Sequence, residues 1–250
     1  SLGILWQLLS DREADNIYRI VYPTSDQHTP KPMSDRNLDR TLRGLYAITP
    51  DAWPVDILID KVTATVVGGA TLVQYRDKRS TDRQRASLAR ALLAICHQHG
   101  ARLIINDDIS LALAVGADGV HLGADDGDLC AARRALPVGA LLGASCYADF
   151  SRAQAAVSAG ADYLAFGAVY PSLTKPTATR APLSLFTRCR QELRIASCAI
   201  GGLTADNAKS VLQAGADLLA VISDLFDAPD VAARASAYQS LFKEYQHDIP

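Results

Sequence analysis

The sequence lacks an excess of charge of either sign. Its 250 residues include 25 Lys and Arg and 27 Asp and Glu, which gives a formal net charge of −2. Without an overall positive field, a protein has little attraction for the phosphates of nucleic acid or for an anionic membrane, so we expect neither as a partner. Any anionic ligand must therefore be bound by a few individually placed cations.

The sequence also has few cysteines and no long apolar run. The five cysteines are an odd number, and no two of them have the CxxC spacing of a zinc or redox site. No apolar run reaches the roughly 18 residues of a membrane helix. The N-terminus shows neither the basic region nor the cleavage site of a signal peptide. We therefore expect a reduced, cytoplasmic protein.

The chain has enough apolar material for a globular fold, since 49% of its residues are hydrophobic and 21% are charged. Its first forty residues differ from the rest, because residues 23–32 form a polar stretch with three prolines that is typical of a linker. We therefore predict two parts, a flexible N-terminal extension at 1–41 and a compact domain at 42–250.

From residue 42 onward, short β-rich runs alternate with longer segments that are rich in Ala and Leu and have helical period. Most of the short runs are apolar throughout, which is typical of strands covered on both faces. Eight strands are predicted, at 45–49, 71–75, 103–106, 119–122, 141–145, 163–167, 197–200 and 218–222. Eight helices are predicted to follow them, at 56–67, 82–99, 109–115, 129–135, 150–158, 183–191, 205–213 and 231–245.

A short repeat supports this count. The pair Gly-Ala, followed by Thr or Asp, occurs at 69–71, 116–118, 160–162 and 215–217, each time between a predicted helix and a predicted strand. Glycine can end a helix in the left-handed conformation, and the small alanine lets the chain turn into the sheet. Four copies, each about two βα units from the next, predict an α/β fold of the (β/α)8 or TIM-barrel type. A doubly wound open sheet is less favoured, because no Gly-rich dinucleotide loop follows the first strand.

In this fold, active sites lie at the C-terminal ends of the strands and in the loops that follow. After the second predicted strand come Gln74, Arg76 and Lys78, whose spacing of two directs their side chains the same way along an extended chain. The alternative is a solvated strand end, since Arg and Lys are mostly surface residues. We predict that these three residues bind a ligand at the barrel mouth.

Polar and acidic residues follow the third and fourth predicted strands. Asn106 and Asp107 come directly after an apolar run, and His121 leads into a loop that contains Asp126. The acidic turns could serve only the backbone, with Asp108 as the cap of the next helix. Acidic residues in two neighbouring loops favour a Mg2+ site, because this ion typically takes one or two carboxylates together with phosphate oxygens and water.

The remaining strand ends contribute hydroxyls, one cation, glycines and one isoleucine. They are Ser145, Ser172, Thr174, Lys175, Gly201, Gly202, Ile222 and Ser223. The loops after the seventh and eighth strands of such barrels are a recurrent phosphate site, where glycine lets backbone N–H groups approach the ligand. The alternative is a glycine pair that serves only the turn. The sequence shows no Cys–His pair, no Ser-His-Asp order and no obvious Schiff-base lysine, so metal-assisted chemistry on phosphorylated ligands is predicted.

Six short segments have a family resemblance. They are 44–49 (GLYAIT), 74–78 (QYRDK), 106–108 (NDD), 119–123 (GVHLG), 201–204 (GGLT) and 221–223 (VIS). In this order and with these loop lengths, the region from about residue 42 to 227 resembles the thiamine phosphate synthases. Two positions depart from the usual pattern: Ser172 stands where Thr is common, and Cys146 and Tyr147 replace a more polar pair.

The resemblance implies a reaction and a set of roles. Members of the family join 4-amino-5-hydroxymethyl-2-methylpyrimidine diphosphate to 4-methyl-5-(2-hydroxyethyl)thiazole phosphate and release pyrophosphate. The diphosphate leaves first, assisted by Mg2+, and the thiazole nitrogen captures the resulting pyrimidinylmethyl cation. By similarity, the pyrimidine would contact Gln74, and Mg2+ would be bound by Asp107 and Asp126. The diphosphate would be bound by Arg76, Lys78, Asn106, Ser145 and Lys175. The thiazole phosphate would be bound by Ser172, Thr174, Gly202, Ile222 and Ser223. Arg76, Lys78, Ser145 and Lys175 are the candidate catalytic residues, and His121 is a further substrate-binding candidate.

Two other hypotheses fit parts of the pattern. A related barrel could bind or isomerise a thiazole phosphate without synthase activity, but such a protein is expected to lack parts of the diphosphate and metal set. A phosphosugar isomerase or synthase would share the phosphate loops but gives no reason for the cations and carboxylates at the other strands. Under all three hypotheses the partners are small molecules, and a homo-oligomer is compatible with the sequence.

Overall fold

The computed structural model describes residues 42–51, 53–124, 126–171 and 180–245. Within these ranges, eight parallel strands form a closed barrel in chain order, and β1 pairs with β8 through Gly44 and Leu218. The predicted (β/α)8 barrel is confirmed. The predicted extension at 1–41 lies outside the described residues, so the domain boundary stays a prediction.

The strands match the predicted runs closely. They are β1 (Gly44–Ile48), β2 (Leu72–Tyr75), β3 (Arg102–Asn106), β4 (Gly119–Leu122), β5 (Leu141–Tyr147), β6 (Tyr163–Gly167), β7 (Ala196–Ile200) and β8 (Leu218–Val221). The α-helices among the described residues are α1 (Val55–Val67), α2 (Asp82–Gln98), α3 (Ile109–Val115), α4 (Leu129–Ala135), α5 (Phe150–Ser158), α6 (Ser184–Arg188), α7 (Ala208–Gln213), α8 (Ser223–Phe226) and α9 (Val231–Glu244).

The two faces of the barrel wall bury two separate apolar clusters. Successive side chains of a strand point to opposite faces, so Leu45 packs between the sheet and the helices while Tyr46 points into the barrel. The inner cluster also contains Leu72, Ile104 and Tyr163. Burial on both faces explains why the strands are apolar throughout, and it leaves the strand ends as the place where polar side chains can collect.

The Gly-Ala repeat has the backbone conformation that the sequence predicts. Its four glycines have φ values of 101°, 70°, 97° and 105° in chain order, which place all of them in the left-handed region. The last residue of the repeat has a role that the sequence does not reveal. The Oδ2 atoms of Asp118, Asp162 and Asp217 accept hydrogen bonds of 2.7, 2.7 and 2.9 Å from backbone N–H groups near the starts of β3, β5 and β7. Each of these three copies therefore ties an even-numbered strand to the strand before it.

Three segments differ from the predicted elements. Helix α7 begins at residue 208 and not at 205, because residues 204–207 form a turn in which Thr204 N donates to Asn207 Oδ1 at 3.0 Å. Helix α6 continues as a π-helical segment, Cys189–Leu193, which ends at Arg194. The four-residue helix α8 is too short for a periodic pattern to predict. No helix in the described ranges is long and apolar enough to cross a bilayer.

Candidate active site

Asp107 lies at the centre of one side of the barrel mouth, directly after β3. Its Oδ2 atom is 3.2 Å from Lys78 Nζ and accepts a hydrogen bond of 2.6 Å from Asn106 Nδ2. Asp107 has a φ of 64°, a left-handed conformation that costs a non-glycine residue free energy and is often found at functional sites. The structure therefore brings three predicted site residues from two strand ends into direct contact.

Asp126 lies beside Asp107, as the sequence predicts for neighbouring loops. Its Oδ2 atom accepts a hydrogen bond of 3.0 Å from Gly123 N, which fixes the carboxyl group against the end of β4. Burial and the adjacent Asp107 carboxyl raise the pKa of Asp126. Two carboxyl groups in contact repel each other when ionised, and they are stabilised by a shared proton or a shared cation.

The donor set at this point fits Mg2+. Two carboxylates are hard oxygen ligands, and Mg2+ commonly binds through one or two of them while water and phosphate oxygens complete the octahedron. The described residues hold no cluster of three or more His, Cys, Asp or Glu side chains that would form a complete metal cage. The pair therefore suits an ion that is partly coordinated by its substrate.

Arg76 is held at the neighbouring strand end by a residue that the sequence did not single out. Its guanidinium group forms an ion pair with Asp51, in the loop after β1. The other carboxylate oxygen of Asp51 accepts a hydrogen bond of 3.3 Å from Lys78 N. Thr49 Oγ1 accepts a hydrogen bond of 2.9 Å from Arg76 N. The loop after β1 thus orients the Arg76 side chain and holds the backbone at Lys78.

An open cavity of about 490 Å3 lies against Lys78 and Asp107. It is lined by Asp77, Lys78, Ser80, Arg85, Asn106, Asp107, Asp108, Ile109 and Ser110. Arg85 was not predicted, because the sequence predictions covered only residues at strand ends and Arg85 is on α2. Its guanidinium group forms an ion pair of 2.8 Å with Asp108. Asp108 caps α3 as predicted, with Oδ1 accepting from Leu111 N at 2.8 Å.

A chain of hydrogen-bonded side chains crosses the top of the barrel interior. Gln74 Nε2 donates to the hydroxyl of Tyr46 at 2.6 Å, and the hydroxyls of Tyr46 and Tyr163 are 2.7 Å apart. The Tyr163 hydroxyl is 3.0 Å from His121 Nδ1, and His121 Nε2 is 2.9 Å from Ser145 Oγ. Three of the five residues were predicted as site residues. The two tyrosines were not, because inside a strand pattern they are indistinguishable from ordinary core residues.

His121 is neutral in this environment. It is buried inside the barrel, its ring stacks on that of Tyr163 with centroids 5.5 Å apart, and both ring nitrogens face hydroxyl groups. Burial lowers the pKa of His121 to about 4, because the imidazolium form would lose its hydration; the more distant charge of Asp126 opposes this effect. A neutral imidazole has one N–H and one lone pair, so when it accepts a hydrogen bond at one nitrogen it donates one at the other.

The opposite side of the mouth presents backbone N–H groups. Gly202 follows β7 with a φ of 64°, and a Cβ atom there would lie 2.4 Å from Pro171 O, so only glycine fits. Ile222 precedes α8 and Ser223 is its first residue. The N–H groups of Gly202, Ser223 and Asp224 have no acceptor among the described residues. These groups suit a phosphate, as the sequence predicts for this position.

Three predicted site residues lie outside the described residues. They are Ser172, Thr174 and Lys175, in the loop after β6. Their roles stay predictions.

The fold and the mouth together define a class: a TIM-barrel enzyme with cations and a carboxylate pair on one side of the mouth and free N–H groups on the other. A sequence model described as thiamine monophosphate synthase matches residues 45–225. The chain belongs to this family of transferases.

Individual relatives agree with this assignment. The chain is 55% identical over 204 residues to a thiamine-phosphate synthase of Aromatoleum aromaticum, covering 82% of this chain and 98% of that protein. It is 53% identical to a thiamine-phosphate synthase of Thioalkalivibrio sulfidiphilus, covering 81% and 96%. A solved structure of a thiamine phosphate pyrophosphorylase from Pyrococcus furiosus superposes with a TM-score of 0.74 at 32% identity, covering 83% of this chain and 98% of that one.

Proposed function

We propose that this chain joins the pyrimidine diphosphate to the thiazole phosphate, forming thiamine phosphate and releasing pyrophosphate. The observation that carries the proposal is the contact of Asp107 with both Asp126 and Lys78 at one side of the mouth. A departing diphosphate needs positive charge around its oxygens, and this group combines a place for a divalent cation with the ammonium group of Lys78. Membership of the family supports the same reaction.

The leaving group would be bound on the side of β2 and β3. The Arg76 side chain is already held by Asp51, so little of its side-chain entropy remains to be lost when it contacts the diphosphate. Asp107 and Asp126 would hold Mg2+, which when bound supplies charge neutralisation at the diphosphate oxygens. Lys175, from the loop after β6, would add a third cation by similarity to the family.

The reaction we propose is a dissociative substitution. The bond between the pyrimidinylmethyl carbon and the diphosphate oxygen breaks, and the electron pair leaves with the oxygen. The thiazole nitrogen then donates its lone pair to the carbon. No protein nucleophile takes part, so the chain contributes position, charge and the exclusion of water that would otherwise capture the cation.

The two substrates would meet above the barrel interior. Gln74 is 3% exposed and lies directly below the mouth, where it would contact the pyrimidine ring. The thiazole phosphate would bind on the opposite side, at the free N–H groups of Gly202 and Ser223, with the hydroxyls of Ser172 and Thr174 assigned by similarity. This arrangement would place the thiazole nitrogen and the leaving group on different sides of the reacting carbon.

The test is product formation by the purified chain with both substrates and Mg2+. We expect thiamine phosphate and pyrophosphate in equal amounts, and neither product when one substrate is omitted or a chelator is added. A related barrel that only isomerises or binds the thiazole phosphate would bind that compound and release no pyrophosphate. That outcome would refute the proposed function.

A further inference from the structure

The hydrogen-bond chain from Gln74 to Ser145 joins two residues that would contact the same substrate at different points. Under the proposed function, Gln74 contacts the pyrimidine ring and Ser145 contacts the diphosphate. The three residues between them, Tyr46, Tyr163 and His121, come from β1, β6 and β4 and are at most 7% exposed. The chain is therefore sealed from bulk water along its middle.

The barrel wall is shaped to permit this chain. Gly143, on β5, lies beside the contact between Tyr163 and His121. A Cβ atom at Gly143 would lie 2.1 Å from the Tyr163 ring, 2.3 Å from its hydroxyl and 2.4 Å from His121 Nδ1. Any side chain at this position would displace one of the two partners. The glycine is thus required by the hydrogen bond and not by its own backbone, since it has no positive φ.

Every link in such a chain has a direction, and one link fixes the others. If Gln74 donates through Nε2, Tyr46 donates to Tyr163, and Tyr163 donates to His121 Nδ1. The neutral imidazole then carries its proton on Nε2 and donates to Ser145 Oγ. The hydroxyl proton of Ser145 remains free to point outward, and no described residue donates to Gln74 Oε1.

The reverse direction would change both ends together. Gln74 would then present its NH2 group to the ligand. Ser145 would donate its hydroxyl proton to His121 and present only lone pairs to the ligand. A diphosphate offers only acceptors, and the exocyclic amino group of the pyrimidine offers donors. The reverse direction would therefore place like groups against each other at both ends of the substrate.

We propose that Tyr46 and Tyr163 are positioning residues: their hydroxyls fix Gln74 as an acceptor for the exocyclic amino group and Ser145 as a donor to the diphosphate. This inference rests on the proposed function, from which the two contacts are taken. On this proposal, all five hydrogen-bonded side chains together set the preference for an amino group over an oxo group on the pyrimidine ring. Loss of either tyrosine hydroxyl frees the Gln74 amide to turn and present either group.

The first test compares binding of the amino-pyrimidine diphosphate with binding of its 4-oxo analogue, which presents an acceptor at the same place. Calorimetric titrations in Mg2+, without the thiazole phosphate, are made on the wild type, Tyr46→Phe and Tyr163→Phe. We expect the wild type to prefer the amino compound by about 100-fold or more, and each variant to reduce this preference about tenfold or more. An unchanged preference in both folded variants would overturn the inference.

Tyr238→Phe is the matched control. Its ring is fully buried, and its hydroxyl donates to Asp224 at 2.7 Å, which is not part of the hydrogen-bond chain from Gln74 to Ser145. This variant loses one buried hydroxyl, as the test variants do, and it should keep the preference for the amino compound. If it reduced the preference as much as Tyr163→Phe does, a general loosening of the barrel would explain the result and the inference would fail.

A second test does not depend on the folding of any tyrosine variant. Nitrogen-15 NMR of the histidine-labelled wild-type protein distinguishes the two imidazole tautomers, and the His121 signals are those that disappear in His121→Gln. We expect the proton on Nε2 at neutral pH, and a proton on Nδ1 would overturn the inference. A wild type that forms no thiamine phosphate refutes the proposed function instead, whatever the tautomer.

Discussion

At the scale of single residues, the site is built from side chains that restrain one another. Asp107 contacts Lys78, Asn106 and Asp126, and it adopts a left-handed backbone conformation. Such a conformation costs a non-glycine residue on the order of 1 kcal/mol, and asparagine and aspartate bear it best. The contacts of its carboxylate offset part of that cost, so the local fold and the charge arrangement depend on the same residue.

Lys78 tests whether the cations assist departure of the diphosphate or only bind it. We expect Lys78→Met to lower kcat by on the order of 10²-fold and to raise KM for the pyrimidine diphosphate much less, because charge grows on the leaving group in the transition state. The same outcome is predicted for Lys175→Ala. Steady-state kinetics with saturating thiazole phosphate measure both constants.

Lys243→Met is the control for this experiment, since Lys243 is exposed in the last turn of α9. It should leave both constants unchanged. A rise in KM alone in Lys78→Met would reduce Lys78 to a binding residue.

His121 gives a prediction about pH. Burial lowers its pKa in the folded state to about 4, against about 6.5 in the unfolded chain. Between these values the unfolded state binds a proton that the folded state does not, so stability falls as the pH falls from 6.5 to 4. The full effect is about 3 kcal/mol. Urea unfolding at pH 7 and pH 5 should show about 2 kcal/mol of this loss in the wild type and none of it in His121→Gln.

His99→Gln serves as the control, because His99 is exposed at the end of α2. It should retain the pH dependence of the wild type. Equal pH dependence in His121→Gln and the wild type would show that His121 does not account for the loss of stability.

At the scale of elements, the Gly-Ala repeat links each pair of strands through the residue that follows it. Asp217 accepts from Ser197 N at 2.9 Å and from Ser197 Oγ at 3.4 Å at the start of β7. We expect Asp217→Ala to lower the free energy of unfolding by about 1–3 kcal/mol, because it leaves a buried N–H without an acceptor. Asp217→Asn keeps an oxygen in place and should cost less.

Urea denaturation at neutral pH measures these differences. Asp227→Ala is a suitable control, because Asp227 is exposed just after α8, and it should change stability by less than about 0.5 kcal/mol. If Asp217→Asn were as destabilising as Asp217→Ala, the hydrogen bond would not be what ties β7 to β8.

The elements also show how far the sequence predicts the structure. The eight strands, the left-handed glycines and the acidic pair at the mouth follow from local patterns: apolar runs, helix ends and polar residues at strand ends. The contact of Tyr46 with Tyr163 does not, because it depends on which residues of two distant strands face each other inside the closed barrel. Asp51 was missed for a related reason, since it acts through Arg76, 25 residues further along the chain, and Arg85 was missed because it is on a helix.

At the scale of the whole molecule, the barrel accounts for the matched part of the chain. The family match begins at residue 45, and the two curated relatives are covered almost completely by 81–82% of this chain. We expect deletion of residues 1–40 to leave turnover and the melting temperature almost unchanged. Kinetics and thermal unfolding of the shortened chain measure this, and a large fall in either would show that the barrel depends on the extension.

Under the proposed function, Asp107 and Asp126 hold the Mg2+ that assists departure of the diphosphate. Asp107→Asn removes the charge and keeps a residue that tolerates the left-handed conformation. Asp128→Asn, at the exposed N-cap of α4, removes a nearby charge that does not belong to the pair. The decisive measurement is the rate of pyrophosphate release as Mg2+ is titrated, in the wild type and in both variants.

We expect release by the wild type and Asp128→Asn to saturate at the same Mg2+ concentration. Asp107→Asn should need far more Mg2+ and remain slower by on the order of 10²-fold, with an unchanged melting temperature. A wild-type rate in Asp107→Asn at limiting Mg2+ would show that Asp107 does not hold the ion.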